Sequence, residues 1–156
     1  MKSLNNYYLK TLKFSLINKF FYTDTKELPK LKKIVLTFNL RQASDIRALT
    51  KHLVALEQLT NQKGSIITTT KPNIQLRIKK GGIVGCKVTI RKKKAIEFIF
   101  KIITEIVPNM DKLSLLKTKE ITHSNYSGVL RNLLNFDDLQ KFYSLFNNLS
   151  TLNLTL

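Results

Sequence analysis

Ile74-Gln75-Leu76-Arg77-Ile78-Lys79-Lys80-Gly81-Gly82-Ile83-Val84-Gly85-Cys86-Lys87-Val88-Thr89-Ile90-Arg91 decides the fold. Ile74, Leu76 and Ile78 alternate with Gln75, Arg77 and Lys79, and Val84, Cys86, Val88 and Ile90 alternate with Gly85, Lys87, Thr89 and Arg91. Successive side chains of a strand point to opposite faces, so each run carries one apolar face and one polar or basic face. Gly81-Gly82 supplies a turn between them, and two alternating runs around a glycine turn predict a β-hairpin. With the apolar faces on the core, Arg77, Lys79, Lys87 and Arg91 emerge together on the other surface of a sheet.

Outward from this hairpin the periodicity changes. Ile66 to Thr70 is β-branched throughout and stops at Pro72, which predicts a strand. Lys92, Lys93 and Lys94 lead into Ala95–Val107, where Ile96, Ile99, Ile103 and Ile106 recur at helical spacing and Phe98, Phe100 and Ile102 widen the stripe. Pro108 stops that helix. Upstream, Ser44 and Asp45 are N-cap candidates for a helix with Ile46, Leu49, Leu53 and Leu56 on one face, ending near Gly64. Leu31 to Phe38 reads as a strand with Ile34, Leu36 and Phe38 on one side. Asn5 to Phe21 reads as a helix with Tyr8, Leu12, Leu16 and Phe20 on one face. Ser124-Asn125-Tyr126-Ser127-Gly128 reads as a turn, and Phe142 to Leu156, alternating weakly, reads as a strand that closes the sheet. Without an internal repeat or linker, these elements predict one α+β domain over residues 1–156, an antiparallel sheet with helices packed on one face.

The chain has 156 residues, of which 43% are hydrophobic, enough to build a core and exclude wholesale disorder. Its net charge is +17, and the excess is concentrated. Residues 61–101 hold eleven basic residues against the single acid Glu97, whereas residues 102–156 hold five of each sign. A patch of one sign marks a footprint for a polyanion, most often a nucleic acid. The single cysteine excludes a disulfide framework and a multi-cysteine zinc site. No apolar run is long enough for a membrane-spanning helix. Lys10, Lys13 and Lys19 interrupt any signal-peptide core, and the absence of arginine from residues 1–21 argues against an import presequence. Heavy use of Asn, Lys, Ile and Leu is the bias of an AT-rich coding sequence, as in many organelle genomes.

No catalytic constellation is legible. His52 lies among polar neighbours on a helix and reads as exposed or partly packed. His123 lies in a loop without a partner at ligand spacing. Cys86 sits between Val84 and Val88 on the apolar face and reads as a small buried hydrophobe. Asp137-Asp138 reads as a helix N-terminus rather than an acid pair. The glycines at 81, 82 and 85 lack the strand–glycine–helix order of a phosphate cradle. Neither an enzyme, a cofactor nor a metal is expected. The basic segment has no aromatic residue between Lys63 and Lys94, so base stacking on single strands is not its main mode. Phosphate and sugar contacts on folded RNA suit it better. A basic RNA-binding protein of another kind or a membrane-surface protein is the rival reading, but membrane binding needs cations beside an exposed apolar helix face, and here the densest cations fall on strands.

Several stretches also resemble one family. Gly81-Gly82-Ile83-Val84-Gly85-Cys86-Lys87-Val88-Thr89-Ile90-Arg91 resembles the G-x-x-I-G-C-K-V-T-L-R run of the uL5 family of large-subunit ribosomal proteins. In the same order, Asn6-Tyr7-Tyr8 resembles that family's first helix. Pro29 to Leu36 resembles its P-x-x-x-K-I-x-L strand, and Gln62-Lys63 before Ile66 its G-Q-K-P-x-I-T strand. Glu97-Phe98 through Val107-Pro108 resembles its next helix, and Asn125-Tyr126-Ser127-Gly128 its N-Y-S turn. The resemblance covers roughly residues 4 to 140. The chain departs from the family's N-x-G-x-G after the first strand, where it has Asn39-Leu40-Arg41-Gln42-Ala43, and from its pattern at Ile67–Leu76 and Thr122–Ser124.

The resemblance implies a structural protein of the central protuberance. Its partners would be 5S rRNA and large-subunit rRNA, P-site tRNA, a small-subunit head protein across a bridge, and neighbouring central-protuberance proteins, with no membrane. The RNA-facing residues would be Asn39, Arg41, Lys63, Thr68, Thr70, Lys87, Thr89 and Arg91, with Lys92 and Lys93 beside them. The tRNA loop would run from Lys71 to Gly82 and present Lys71, Asn73, Gln75, Arg77, Lys79 and Lys80. Asn125 and Tyr126 would lie near rRNA or the bridge. Drift from the bacterial pattern, AT-rich composition and a match beginning almost at Met1 imply a protein of the mitochondrial matrix and its ribosome, encoded in the organelle.

Overall fold

Strands form where β-branched and aromatic residues alternate with polar ones: β1 (Lys33–Asn39), β2 (Ser65–Thr68), β3 (Ile83–Arg91), β4 (Ile121–Thr122), β5 (Asn125–Leu130) and β6 (Leu152–Thr155). The helices are α1 (a π-helical turn Tyr8–Leu12 continuing as Lys13–Phe20), α2 (Ile46–Thr60), α3 (Lys92–Lys101), α4 (Asp137–Gln140) and α5 (Tyr143–Phe146). These come from a computed structural model that describes residues 7–22, 24, 26–40, 45–109, 121–122 and 125–156. The strands pair antiparallel in the order β2–β3–β1–β6–β5, with the short β4 beyond β5.

One face of the sheet is the core. Ile34, Leu36 and Phe38 of β1 are buried, as are Cys86, Val88 and Ile90 of β3, Leu152 and Leu154 of β6, and Leu130 of β5. Each fully buried Leu, Ile or Phe side chain contributes about 1.5–3 kcal/mol. Against this face α2 lays Leu49, Ala55, Leu56 and Leu59, and α3 lays Ala95 and Phe98. Asp45 starts α2 by accepting the backbone N–H of Ala48 on Oδ1 at 3.1 Å. At the other end the Lys94 ammonium donates to the Asn61 carbonyl at 2.9 Å, a cation at a helix C-terminus. Among the described residues, the helices that bury side chains pack on this core face, in line with the α+β reading.

Several expectations are corrected. Ile74–Lys79 is not a strand: β3 pairs with β2, and residues 69–82 form the loop between them. Pro72 has no N–H to extend the β2 ladder, and the chain closes on itself where Asn73 and Ile78 exchange backbone hydrogen bonds at 2.9 Å. Ile74 and Leu76 therefore stand 91% and 66% exposed rather than on the core. Asn125, Tyr126, Ser127 and Gly128 belong to a strand, not a turn. In α3 the buried stripe is Ala95, Phe98, Ile102 and Ile106, and the helix continues as a π-helical turn over Ile102–Ile106; Ile103 is about half exposed. Lys13–Phe20 of α1 buries no residue, so its apolar face is not core. Only Leu152–Thr155 of the C-terminal stretch is a strand, and it lies between β1 and β5 rather than at an edge. Asp137 and Asp138 do open a helix, where Asp138 also pairs with Lys101 at 2.5 Å. Ser44, His123, Ser124 and Asn6 lie outside the described residues.

Cys86 is fully buried as expected, and burial pushes its thiol up to about 11 against an opposing backbone hydrogen bond at Phe38. Cys86→Ser should therefore cost about 1–3 kcal/mol through a buried hydroxyl. A thiol reagent should label the chain only after unfolding; labelling of the native protein contradicts the burial.

His52 departs from its reading as exposed or partly packed. It is 4% exposed, stacks on Phe38 with ring centroids 4.7 Å apart, and accepts the backbone N–H of Ser150 on Nε2 at 3.1 Å. Burial lowers its pKa below the ordinary 6.5, with Asp45 partly opposing. The unfolded chain takes up a proton that the folded ring resists, so this contribution is present above about pH 6.5 and is lost as pH falls through the folded pKa. Urea unfolding from neutral pH down to about pH 5 should show a loss of stability that is smaller in His52→Gln. Equal losses in both proteins would refute the assignment.

Candidate nucleic-acid interface

The register of β1 and β3 fixes what the uncovered face presents. Lys33 lies opposite Arg91, Val35 opposite Thr89, Thr37 opposite Lys87 and Asn39 opposite Gly85. Directly paired residues share a face. Since the alternate residues go to the core, these eight point away from the helices. Lys33, Asn39, Lys87 and Arg91 are exposed, and Thr37 and Thr89 half-buried. Beyond β1, β6 adds Asn153 and Thr155, and β5 adds Ser127 and Val129. No acidic and no aromatic residue lies on this face among the described residues.

The sheet is held tightly at this point. A Cβ on Gly85 would stand 2.1 Å from the Phe38 carbonyl oxygen, so the two backbones meet where only hydrogen fits. Beside it the Leu40 N–H donates to the Val84 carbonyl at 2.8 Å. Ser65 Oγ donates to the Lys87 carbonyl at 3.2 Å, and Gln62 Nε2 to that of Thr89 at 3.3 Å. Lys87 and Thr89 are thus carried on a strand clamped from both sides.

The expected RNA-facing residues divide. Asn39, Lys87, Thr89 and Arg91 come together on the open face, and Asn125 joins them at its far end on β5. Lys92, at φ +55°, and Lys93 follow directly at the start of α3, both exposed. Lys63 is exposed between α2 and β2, and Thr68 and Thr70 are exposed at the root of the loop. Arg41 lies outside the described residues. Tyr126 alternates onto the helix side, where its backbone exchanges hydrogen bonds with Leu156 at 3.2 and 2.8 Å.

In the loop, Lys71, Asn73, Gln75, Arg77, Lys79 and Lys80 are all exposed. Thr69 closes its base, donating its hydroxyl to the Lys79 carbonyl at 2.9 Å. At the tip Asn73 Oδ1 accepts the Leu76 N–H at 3.2 Å and Arg77 adopts φ +52°. The Asn73 side chain is therefore part of the turn.

Among the described residues the ion pairs join Asp138 to Lys101 and Lys141, so the charge on the open face is not neutralised from within. Sequence reasoning missed Lys33, Thr37, Asn153, Thr155 and Ser127. The β1 alternation carried a signal for the first two; the others depend on β6 lying beside β1, which no local pattern reveals.

A sheet with one face under helices and the other cationic and, among the described residues, free of acids presents a surface suited to a polyanion. No family model matches the chain. It is 34% identical to the large ribosomal subunit protein uL5 of Streptococcus uberis, over 81% of this chain and 74% of that one. It is 30% identical to that of Clostridium botulinum, over 90% and 79%, and 28% identical to large ribosomal subunit protein uL5m of Reclinomonas americana, over 100% and 87%. The chain belongs to the uL5 family of large-ribosomal-subunit proteins, and its role is structural rather than enzymatic.

Proposed function

We propose that this chain is a constituent of the central protuberance of a mitochondrial large ribosomal subunit. Its open sheet face binds 5S rRNA and large-subunit rRNA, and the 71–82 loop reaches P-site tRNA. The observation that carries the reading is the acid-free register of β1 and β3, which sets Lys33, Lys87 and Arg91 on one rigid surface. Neutralising phosphates with these cations releases counterions and supplies most of the affinity. Arg77 and Arg91 offer planar forks for paired phosphate oxygens, whereas Lys92 and Lys93 act as point charges. Full-length similarity to the uL5m of Reclinomonas americana supports the organelle assignment. In this role the Asn125 end of the face lies toward neighbouring proteins and the bridge to the small-subunit head.

The test is sedimentation of the tagged chain from fractionated cells, followed by a map of the particle that carries it. The expected result is co-migration with the mitochondrial large subunit and nucleotides over Lys87 and Arg91. Migration apart from ribosomes, or those two side chains in open solvent within the particle, overturns the proposal.

A further inference from the structure

The open face is not uniform. Its β1–β3 half carries Lys87 and Arg91, while its β6–β5 half carries no charge. There Asn153 pairs with Thr37, and Thr155 lies between Val35 and Ser127. The side chains of Thr37, Asn153, Thr155 and Ser127 make no hydrogen bond to a described residue, so their donors and acceptors are free for an outside partner.

Cations alone bind any polyphosphate. Hydroxyls and an amide adjoining them, set around the small apolar side chains of Val35 and Val129, suit a narrower class of ligand, one that sets small neutral donors and acceptors beside its phosphates. The RNA double helix does this: its wide, shallow minor groove displays ribose 2′-hydroxyls between the phosphate rims. Strands β3 and β5 stand three spacings apart, roughly 14 Å, so phosphate over β3 and ribose over β6 and β5 are reached together. The face has no aromatic side chain on which single-stranded bases would stack. B-form DNA offers the same phosphates and lacks the 2′-hydroxyl.

We propose that Asn153, Thr155 and Ser127, with Thr37, form a ribose-reading half of the interface that selects duplex RNA over duplex DNA. This rests on the reading of the open face as an RNA surface. Lys87 and Arg91 supply affinity without discrimination; the neutral half supplies discrimination with little salt dependence.

The experiment measures binding of the full chain to a short RNA duplex, the DNA duplex of the same sequence, and the RNA duplex with 2′-O-methyl groups, across a salt series. The wild type should prefer RNA by about tenfold over either competitor, two neutral hydrogen bonds contributing about that much. Asn153→Val with Thr155→Val, both compatible with a strand, should remove that preference and leave the salt slope unchanged. Lys87→Ala with Arg91→Ala should lower the slope and keep the preference. Equal affinity of the wild type for RNA and DNA, or a preference that survives in the Asn153/Thr155 variant, overturns the proposal. Absence of salt-sensitive RNA binding instead sinks the assignment of the open face itself. Circular dichroism of each variant confirms that the sheet is retained.

Discussion

Gly85→Ala lowers stability by about 3 kcal/mol or more, the largest single-residue effect expected in this chain. The added methyl would meet the Phe38 carbonyl oxygen at 2.1 Å, and neither strand has room to retreat. β3 is hydrogen-bonded to β2 on one side and to β1 on the other. Parting β1 from β3 there opens the sheet beside Phe38 and Cys86, both fully buried. Gly81→Ala is the internal comparison. A Cβ there meets nothing within 4 Å, and only the positive φ of 79° opposes it, a cost of about 1–2 kcal/mol. Urea unfolding of the two variants against the wild type reads the difference. A Gly85→Ala protein as stable as Gly81→Ala means the strands do not approach as described.

Lys87→Ala combined with Arg91→Ala weakens rRNA binding by tenfold or more. A hydrogen bond to a charged group contributes about 1.5–3 kcal/mol, and about 1.4 kcal/mol is tenfold. Each cation seated on a phosphate adds about 0.9 to the slope of log affinity against log salt, so the double variant flattens that slope by about 1.8. Both residues lie on the open face four pairs apart in register, neither is buried, and neither forms an ion pair with a described residue, so the fold does not depend on them. Filter binding with a 5S or large-subunit rRNA transcript over a salt series measures both quantities. Unchanged affinity and slope remove the open face from RNA recognition. Loss of affinity with an unchanged slope means that the two side chains do not neutralise phosphates.

The central strands and the α2 cap were legible because local chemistry alone dictates them. Ile34, Leu36 and Phe38 alternate, Cys86, Val88 and Ile90 alternate, and Asp45 stands where a cap is needed. Ile74, Leu76 and Ile78 alternate equally well, yet they have no sheet partner. Period two says that a strand is possible, whereas pairing requires a neighbour, and β2 ends at Thr68. His52 was misread because Ile46, Leu49, Leu53 and Leu56 gave a plausible stripe. The observed one runs through Leu49, His52, Leu56 and Leu59, equally helical in spacing, and an imidazole joins it by stacking on Phe38. In α3 the expected stripe Ile96, Ile99, Ile103 and Ile106 and the observed one, Ala95, Phe98, Ile102 and Ile106, are both helical in spacing, and a segment rich in apolar residues on every side does not say which is turned inward. The cationic half of the interface was visible as charge. The neutral half was not, because Asn153, Thr155 and Ser127 are unremarkable in composition and become neighbours of Thr37 only through the order of the strands.

That strand order also constrains how the chain is made. β6 is synthesised after every other strand of the sheet, yet it fits between β1 and β5. Leu36 must wait for Leu154, and until then β1 offers an unpaired rim while the peptide is still tethered in an exit tunnel. The two halves of the uncovered surface therefore become one plane only after nearly all of the polypeptide has emerged. A nascent chain can display its cations early, whereas the half of the plane that carries Asn153 and Thr155 is assembled last.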